Sequence, residues 1–463
     1  MERKNAWAAY AEDDSRVEAF AKAYCDFINN GKTERECVAY GEKLAKAHGF
    51  EDLNAVIRSG RKLEAGARVY ANWMGKSFML FVLGTKPLEE GMNILGAHID
   101  SPRIDVKQNP LYEDGDLAYL DTHYYGGIKK YQWVAMPLAL HGVIIKKNGE
   151  KVPVNIGEEE NDPVFCISDL LIHLAQEQMA KNAKDVVEGE ALNLIVGGRP
   201  LAGEEKDAVK ANVLKLLDDK YGVEEEDFLS AELEIVPAGK ARDMGFDRSM
   251  ILGYGHDDRV CAYPSMMAVL DYEGTPDYTL CCIITDKEEI GSVGATGMAS
   301  HYLENTVAEL YACTADYCEL AVRRCLRNSR MLSSDVSAGY DPNFASAFEK
   351  KNSAFLGRGI CFNKFTGSRG KSGSNDANPE FMASLRKIMD DAGVAFQTAE
   401  LGRVDLGGGG TIAYLCAKYG MNVIDSGIAV LSMHAPYEII SKVDLYEGYR
   451  CYCAFLKGAK PVD

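Results

Sequence analysis

The segment Tyr278–Thr285 is a near-continuous apolar run, and it constrains the fold more than any other feature. A strand with one wet face alternates apolar and polar residues, whereas a strand that is apolar throughout must be covered on both faces. Shorter strand-like runs occur at Ser77–Leu83, Met92–Ala97, Gly359–Asn363 and Asn422–Val430. Helical spacing lies between them, at 258–271, 298–308, 376–392 and 411–419. Two more helices are expected over residues 13–48, with Asp13 or Asp14 as first cap and Val17, Phe20, Tyr24 and Phe27 on the apolar stripe. Strands alternating with helices predict an α/β fold with a mixed, mainly parallel sheet covered by helices.

That rhythm breaks from about 104 to 245. There Val143–Lys147 and Glu150–Val154 flank Asn148-Gly149, the signature of a β-hairpin, and an acidic helical stretch near 204–222 precedes a strand at Glu232–Val236. Few candidate ligands fall in this region. Residues 104–245 therefore read as an inserted β-rich domain, and residues 1–103 with 246–463 as the domain that carries the chemistry. A chain of 463 residues has room for both.

Charge narrows the function classes. A net charge of −18 argues against a nucleic-acid surface. No apolar stretch approaches the roughly 18 residues of a membrane span, and residues 1–5 lead into a charged amphipathic segment, so a cytoplasmic location is expected. The 13 cysteines are odd in number and form no CxxC pair, which predicts reduced, buried thiols.

Sites in open α/β sheets form beyond the carboxyl ends of strands. Five clusters at or near such positions offer hard ligands: His98-Ile99-Asp100, His256-Asp257-Asp258-Arg259, Asp286-Lys287-Glu288-Glu289, Ser333-Ser334-Asp335 and Ser432-Met433-His434. Imidazole and carboxylate suit zinc, cobalt or manganese. A two-metal site needs a bridging carboxylate between ions ~3.5–4 Å apart and a base beside the attacking water. Alternation along an extended segment puts His98 and Asp100 on one face, so Asp100 can orient the imidazole. In Glu288-Glu289, one carboxylate can bind metal while the other takes a proton. Either Asp257 or Asp258 could supply the bridge.

Together these segments resemble the M18 family of metallo-aminopeptidases, the aspartyl aminopeptidase and aminopeptidase I group. The resemblance rests on GAHIDSP at 96–102, HDDR at 256–259, DKEEIGS at 286–292, SSDV at 333–336 and SMHAPYE at 432–438, and it spans nearly the whole chain. It implies a zinc-exopeptidase-like fold and a di-zinc aminopeptidase, with cobalt or manganese as alternative metals. It implies terminal metal ligands at His98, Glu289, Asp335 and His434, a bridge at Asp257, support of His98 by Asp100, and Glu288 as the general base for a metal-activated water. It places a dimerisation insert at 104–245 and implies that His173 reaches a neighbouring subunit's active site. Peptide substrates and a homo-oligomer built from dimers, as large as a dodecamer, follow from the same resemblance. The chain departs from the family's eukaryotic members at Ala338 and Asp341, where they carry histidines, so their preference for acidic N-terminal residues is not carried over.

Several residues also admit plainer readings. His173 sits in an apolar stretch that suits a core histidine equally well. His48 and His301 read as structural or exposed, and His123 and His141, in the insert, as structural. Gly407–Gly410 reads either as a tight turn or as backbone amides facing substrate, and Lys371 and Arg369 as substrate contacts or solvated surface. Gly370-Lys371-Ser372 lacks the earlier glycine of a phosphate loop, since position 365 is Phe. Two competing functions remain: another metallohydrolase on this scaffold, such as a carboxypeptidase or deacylase, and a catalytically silent assembly protein.

Overall fold

The computed structural model describes residues 4–367 and 370–462. Contacts divide the chain into two units. The first takes the chain up to Asp100, Ala241–Met433 and the chain from Glu438 onward, and the second takes Ser101–Lys240 with His434–Tyr437.

In the first unit the apolar run forms the strand Thr279–Thr285, buried at every residue. It pairs antiparallel with Ser77–Val82 and parallel with Met92–His98. The sheet grows to nine strands, with five parallel pairings and three antiparallel ones. Successive residues of a strand face opposite ways. Accordingly Leu280, Cys282 and Ile284 join an apolar cluster with the helices Ser15–Asn30, His256–Leu270 and Lys442–Gly458. Cys281 and Ile283 join another, with the helices Tyr302–Thr314 and Glu319–Arg327. Helices on both faces explain why no polar alternation appears in the run.

The N-terminal helices form over Ser15–Asn30 and Glu34–Ala47. The Asp13 carboxylate accepts the Ser15 N–H, and Thr33 with Glu36 makes a reciprocal cap on the second helix. The helix expected over 298–308 begins later and runs further, as Tyr302–Thr314, and the one expected at 411–419 shrinks to Ala413–Ala417.

The strand expected over Asn422–Val430 divides. Asn422–Gly427 belongs to the nine-stranded sheet, and Ala429–Leu431 to a separate five-stranded sheet. The neighbouring chain turns with it: Asp335 N–H donates to Ser426 O, Ser337 N–H to Ile428 O and Gly339 N–H to Val430 O. Gly427 sits at the bend, where a Cβ would come within 1.8 Å of the Asp335 carbonyl oxygen, so only glycine fits.

The second unit is built on a six-stranded sheet, antiparallel throughout, in the order Lys151–Ile156, Leu138–Ile145, Ala231–Pro237, Arg103–Asp114, Leu117–Tyr125 and Leu194–Gly197. The hairpin closes through Lys146 N–H to Glu150 O at 2.9 Å, with Gly149 at φ 87° supplying the left-handed residue. The acidic stretch folds into the helix Ala208–Tyr221. Among the described residues, no helix of either unit is long and apolar enough to cross a membrane.

Candidate metal centre

Three neighbouring parallel strands of the first unit end at the same edge. Met92–His98 lies between Thr279–Thr285 and Arg330–Ser334. Their carboxyl ends therefore deliver His98, the Glu288–Ile290 turn and Asp335 to one place. Lys287 at φ 69° and Gly291 at φ 89° bracket that turn. Asp257 arrives from the start of the helix His256–Leu270, where Asp257 and Asp258 keep non-helical backbone angles.

The side chains converge. His98 Nε2 lies 3.2 Å from Asp257 Oδ1 and 3.9 Å from Glu288 Oε2. Three overlapping groups have ligand atoms within 4.8 Å of one another: His98 with Asp257 and Glu289, His98 with Glu288 and Asp335, and Asp257 with Asp258 and Asp335. Sharing His98, Asp257 and Asp335 between groups is what a centre for two ions would require.

The surrounding residues hold these groups in place. His98 Nδ1 lies 2.9 Å from the Asp100 carbonyl oxygen and 3.3 Å from its Oδ1. Donation there fixes the ring with Nε2 toward Asp257, the nitrogen that would bind a metal once it gives up its proton. The Asp100 carboxylate accepts the backbone N–H groups of Glu288 and Glu289, at 3.1 Å each. One buried carboxylate thus fixes the histidine and both glutamates. Asp258 Oδ2 accepts the His98 N–H at 3.3 Å, which turns Asp258 toward backbone, while Asp257 faces the imidazole.

The electrostatics call for a cation. Burial raises Asp335 well above the usual carboxylate range, and the charges of Glu288 and Asp258 add to it. Burial does the same to Asp258, reinforced by Asp257. At His98 burial alone would lower the pKa, but hydrogen bonds to Asp100 and Asp257 and the charges of Asp100 and Glu288 leave it well above the ordinary value. Carboxylates held this close repel one another unless positive charge sits among them. An imidazole with several carboxylates is a donor set that fits zinc, and cobalt or manganese as well.

Two of the residues expected here lie in the second unit. His434 Nδ1 is 2.9 Å from the Gly127 carbonyl oxygen, and the three groups of the first unit form without it. His173 lies in the turn Ile172–Leu174 and is exposed, which excludes the core-histidine reading. His256, buried beside Asp257, places Nδ1 2.7 Å from the Tyr24 hydroxyl, and burial lowers it to about 3, so it stays neutral and structural.

Glu438 was given no role on sequence. It is buried and accepts the Asp257 N–H at 3.0 Å. The signal was available, because a charged residue opens the otherwise apolar strand Glu438–Ser441. Asp341 accepts the Asn343 N–H and caps the turn Pro342–Ala347, while Ala338 lies in the strand Ser337–Ala338. Gly407 packs where a Cβ would meet Leu401 O at 1.9 Å, as a tight turn requires. Lys371 is exposed, pairs with Asp376 at 2.9 Å and lies over the Phe365 ring. Arg369 lies outside the described residues.

Comparison with known proteins bears on this centre. A family model described as aminopeptidase I zinc metalloprotease (M18) matches residues 27–456. A probable M18 family aminopeptidase 1 from Clostridium acetobutylicum is 58% identical over 458 residues, covering 98% of each chain. The crystal structure of aminopeptidase I from Clostridium acetobutylicum matches with a TM-score of 0.92 at 56% identity, over 98% of this chain and 99% of that one. The crystal structure of an M18 family aminopeptidase from Thermotoga maritima matches with a TM-score of 0.94 at 43% identity, over 99% of this chain and all of that one.

Proposed function

The chain belongs to the M18 family of zinc metalloproteases and is a metallo-aminopeptidase, and from that premise we propose that it hydrolyses the N-terminal peptide bond with two zinc ions and Glu288 as general base. The observation that carries the proposal is the convergence of His98, Asp257, Glu289 and Asp335 into overlapping ligand groups, with Glu288 3.9 Å from His98 Nε2.

In this reading Asp257 would be the carboxylate shared by the two ions, as the family resemblance implies, and its place in two of the groups, facing the imidazole, is consistent with that role. His98, Glu289 and Asp335 are terminal ligands, and His434 completes the set on the strength of the family resemblance. Zinc bound there supplies Lewis-acid polarisation of the scissile carbonyl and acidifies water. Glu288 takes the proton of the attacking water and delivers it to the leaving amine. Asp100 keeps the Glu288–Glu289 backbone and the His98 ring in register, so the base and two ligands move as one body. His173 reaches the active site of a neighbouring subunit and stabilises the developing oxyanion, which makes a homo-oligomer the working form. Short peptides with a free amine are the substrates. Asp341, spent on its own turn, gives no ground for an acidic preference.

A panel of aminoacyl chromogenic substrates, run after chelation and readdition of zinc, cobalt or manganese, tests this. Cleavage of free-amine substrates, restored by metal, and inert N-acetylated peptides are expected. Cleavage of blocked peptides would favour a deacylase or carboxypeptidase, and no cleavage under any metal would overturn the reading.

A further inference from the structure

Three stretches of the metal centre have backbone N–H groups held by buried carboxylates. Asp100 accepts those of Glu288 and Glu289, Asp258 accepts that of His98, and Glu438 accepts that of Asp257 at 3.0 Å. Asp100 and Asp258 lie within the ligand-rich segments themselves. Glu438 reaches in from 181 residues further along the chain and belongs to none of the ligand groups.

Its partner needs an acceptor from outside. Asp257 lies in the first turn of the helix His256–Leu270, where N–H groups have no acceptor within the helix. The preceding residue, whose side chain often supplies one, is Gly255, which has no side chain to offer. Asp257 is buried, and a buried N–H without an acceptor is costly. Its backbone, at φ −79° and ψ 108°, is not helical, so regular helix geometry does not set where its carboxylate points. Glu438 is brought to this spot by strand pairing. It opens the strand Glu438–Ser441 opposite Gly253, in antiparallel register with Met250–Gly253. A carboxylate is also a stronger acceptor than a neutral oxygen. We propose that Glu438 is a positioning residue: on the two-zinc reading above, it fixes the backbone of Asp257 and so aims the carboxylate that the two ions would share.

Competition for zinc between the full-length protein and a chromogenic chelator tests this, with denaturant midpoints of the chelated protein measured on the same preparations. Glu438→Ala lowers zinc affinity about 10–100-fold, the usual cost of losing a group that orients a ligand. Glu438→Asp keeps the charge but is one carbon too short, and it weakens zinc in the same sense. Glu438→Gln keeps an acceptor oxygen at the same reach without the charge, and it stays closer to wild type than to the alanine variant. A purely structural role would lower the midpoints of the variants and leave the zinc affinity of the folded protein unchanged, which would overturn the inference. A glutamine variant as weak as alanine would also overturn it, because the charge rather than the hydrogen bond would then be at work. A wild-type protein that takes up no zinc would overturn the two-zinc reading and this inference with it. A wild-type protein that takes up two, beside alanine and aspartate variants that hold both as tightly, would overturn this inference alone.

Discussion

The two units use a sheet in opposite ways. In the first, Thr279–Thr285 is buried along its whole length, and the polar residues gather where the strands end. In the second, Lys151–Ile156 alternates exposed and buried residues along an edge strand. Buried acids follow the same division: Asp100, Asp257, Asp258, Asp286, Asp425, Glu438 and Asp444 all lie in the first unit, whereas Glu234 is the buried acid of the second. Exposed large apolar side chains occur in both units, but in the second four of them, Leu170, Leu171, Ile172 and Leu174, fall in one short run. A sheet covered on both faces can exclude water from charges at its rim. A sheet with a wet face cannot, but it can offer apolar surface to something else.

Removing the base should break that contrast most severely. Glu288→Gln is expected to lower kcat on an aminoacyl substrate by about 10²–10⁴-fold while bound zinc, measured by elemental analysis, stays at the wild-type level. Unchanged turnover would move the base elsewhere. Loss of metal would recast Glu288 as a ligand.

The next effect concerns buried charge itself. Asp425 is buried in the strand Asn422–Gly427 and accepts the Thr411 hydroxyl at 2.5 Å. Burial pushes it from 3.8 up to about 7, against the pull of that hydrogen bond. A folded value above the unfolded one means that the fold prefers the protonated form. The stability it contributes is complete below about pH 4 and is lost as pH rises through about 7. Asp425→Asn should remove this loss, up to about 4 kcal/mol by pH 8. Denaturant titrations of chelated protein from pH 4 to 8 measure it without interference from metal release. A variant that keeps the wild-type slope would assign the titration to another buried acid of the first unit.

Asp100 tests whether the ligand cluster depends on its support. Asp100→Ala frees the N–H groups of Glu288 and Glu289 and one partner of His98. Zinc affinity or kcat should fall about 10–100-fold, as measured by chelator competition and turnover. An unaffected centre would mean that the strand ends alone position it.

The same contrast decides what could be read from sequence. The apolar runs and the ligand-rich segments after them were legible because a strand covered on both faces leaves an unbroken pattern and its chemistry sits at the end. The helix Lys442–Gly458 was not, because its buried face includes Asp444 and Glu447. Their carboxylates take backbone N–H groups, Asp444 from Gly357 and Gly359 and Glu447 from Ala395, which no spacing rule anticipates. The division of Asn422–Val430 was hidden for a similar reason. Its cause is the approach of Gly427 to Asp335, a contact between distant segments. Glu438 was visible as a charge before an apolar strand, but its partner, the Asp257 N–H, is set by tertiary structure. His173 lies in an apolar run that suits a core histidine as well as an active-site one, and the structure exposes it.

The smallest expected effect on stability falls in that exposed run. Ile172 is 65% exposed, with Leu171 and Leu174 exposed beside it. Replacing a side chain that touches mainly water changes folding free energy by less than about 0.5 kcal/mol. Leu171→Ser/Ile172→Ser should therefore unfold at nearly the wild-type denaturant midpoint when subunits are dilute and dissociated. At working concentration the same variant should behave differently, because contiguous exposed apolar side chains are costly in water and are normally covered by a partner. A shift toward smaller species in sedimentation velocity, with turnover falling in parallel, would tie the second unit's apolar surface to assembly and to the first unit's chemistry. An unshifted distribution would detach them, leaving His173 without a route to a neighbouring site and the homo-oligomer proposal without its contact. A large loss of stability in the dilute chain would instead show that the run packs within its own subunit, and the contrast between the units would narrow to the strands alone.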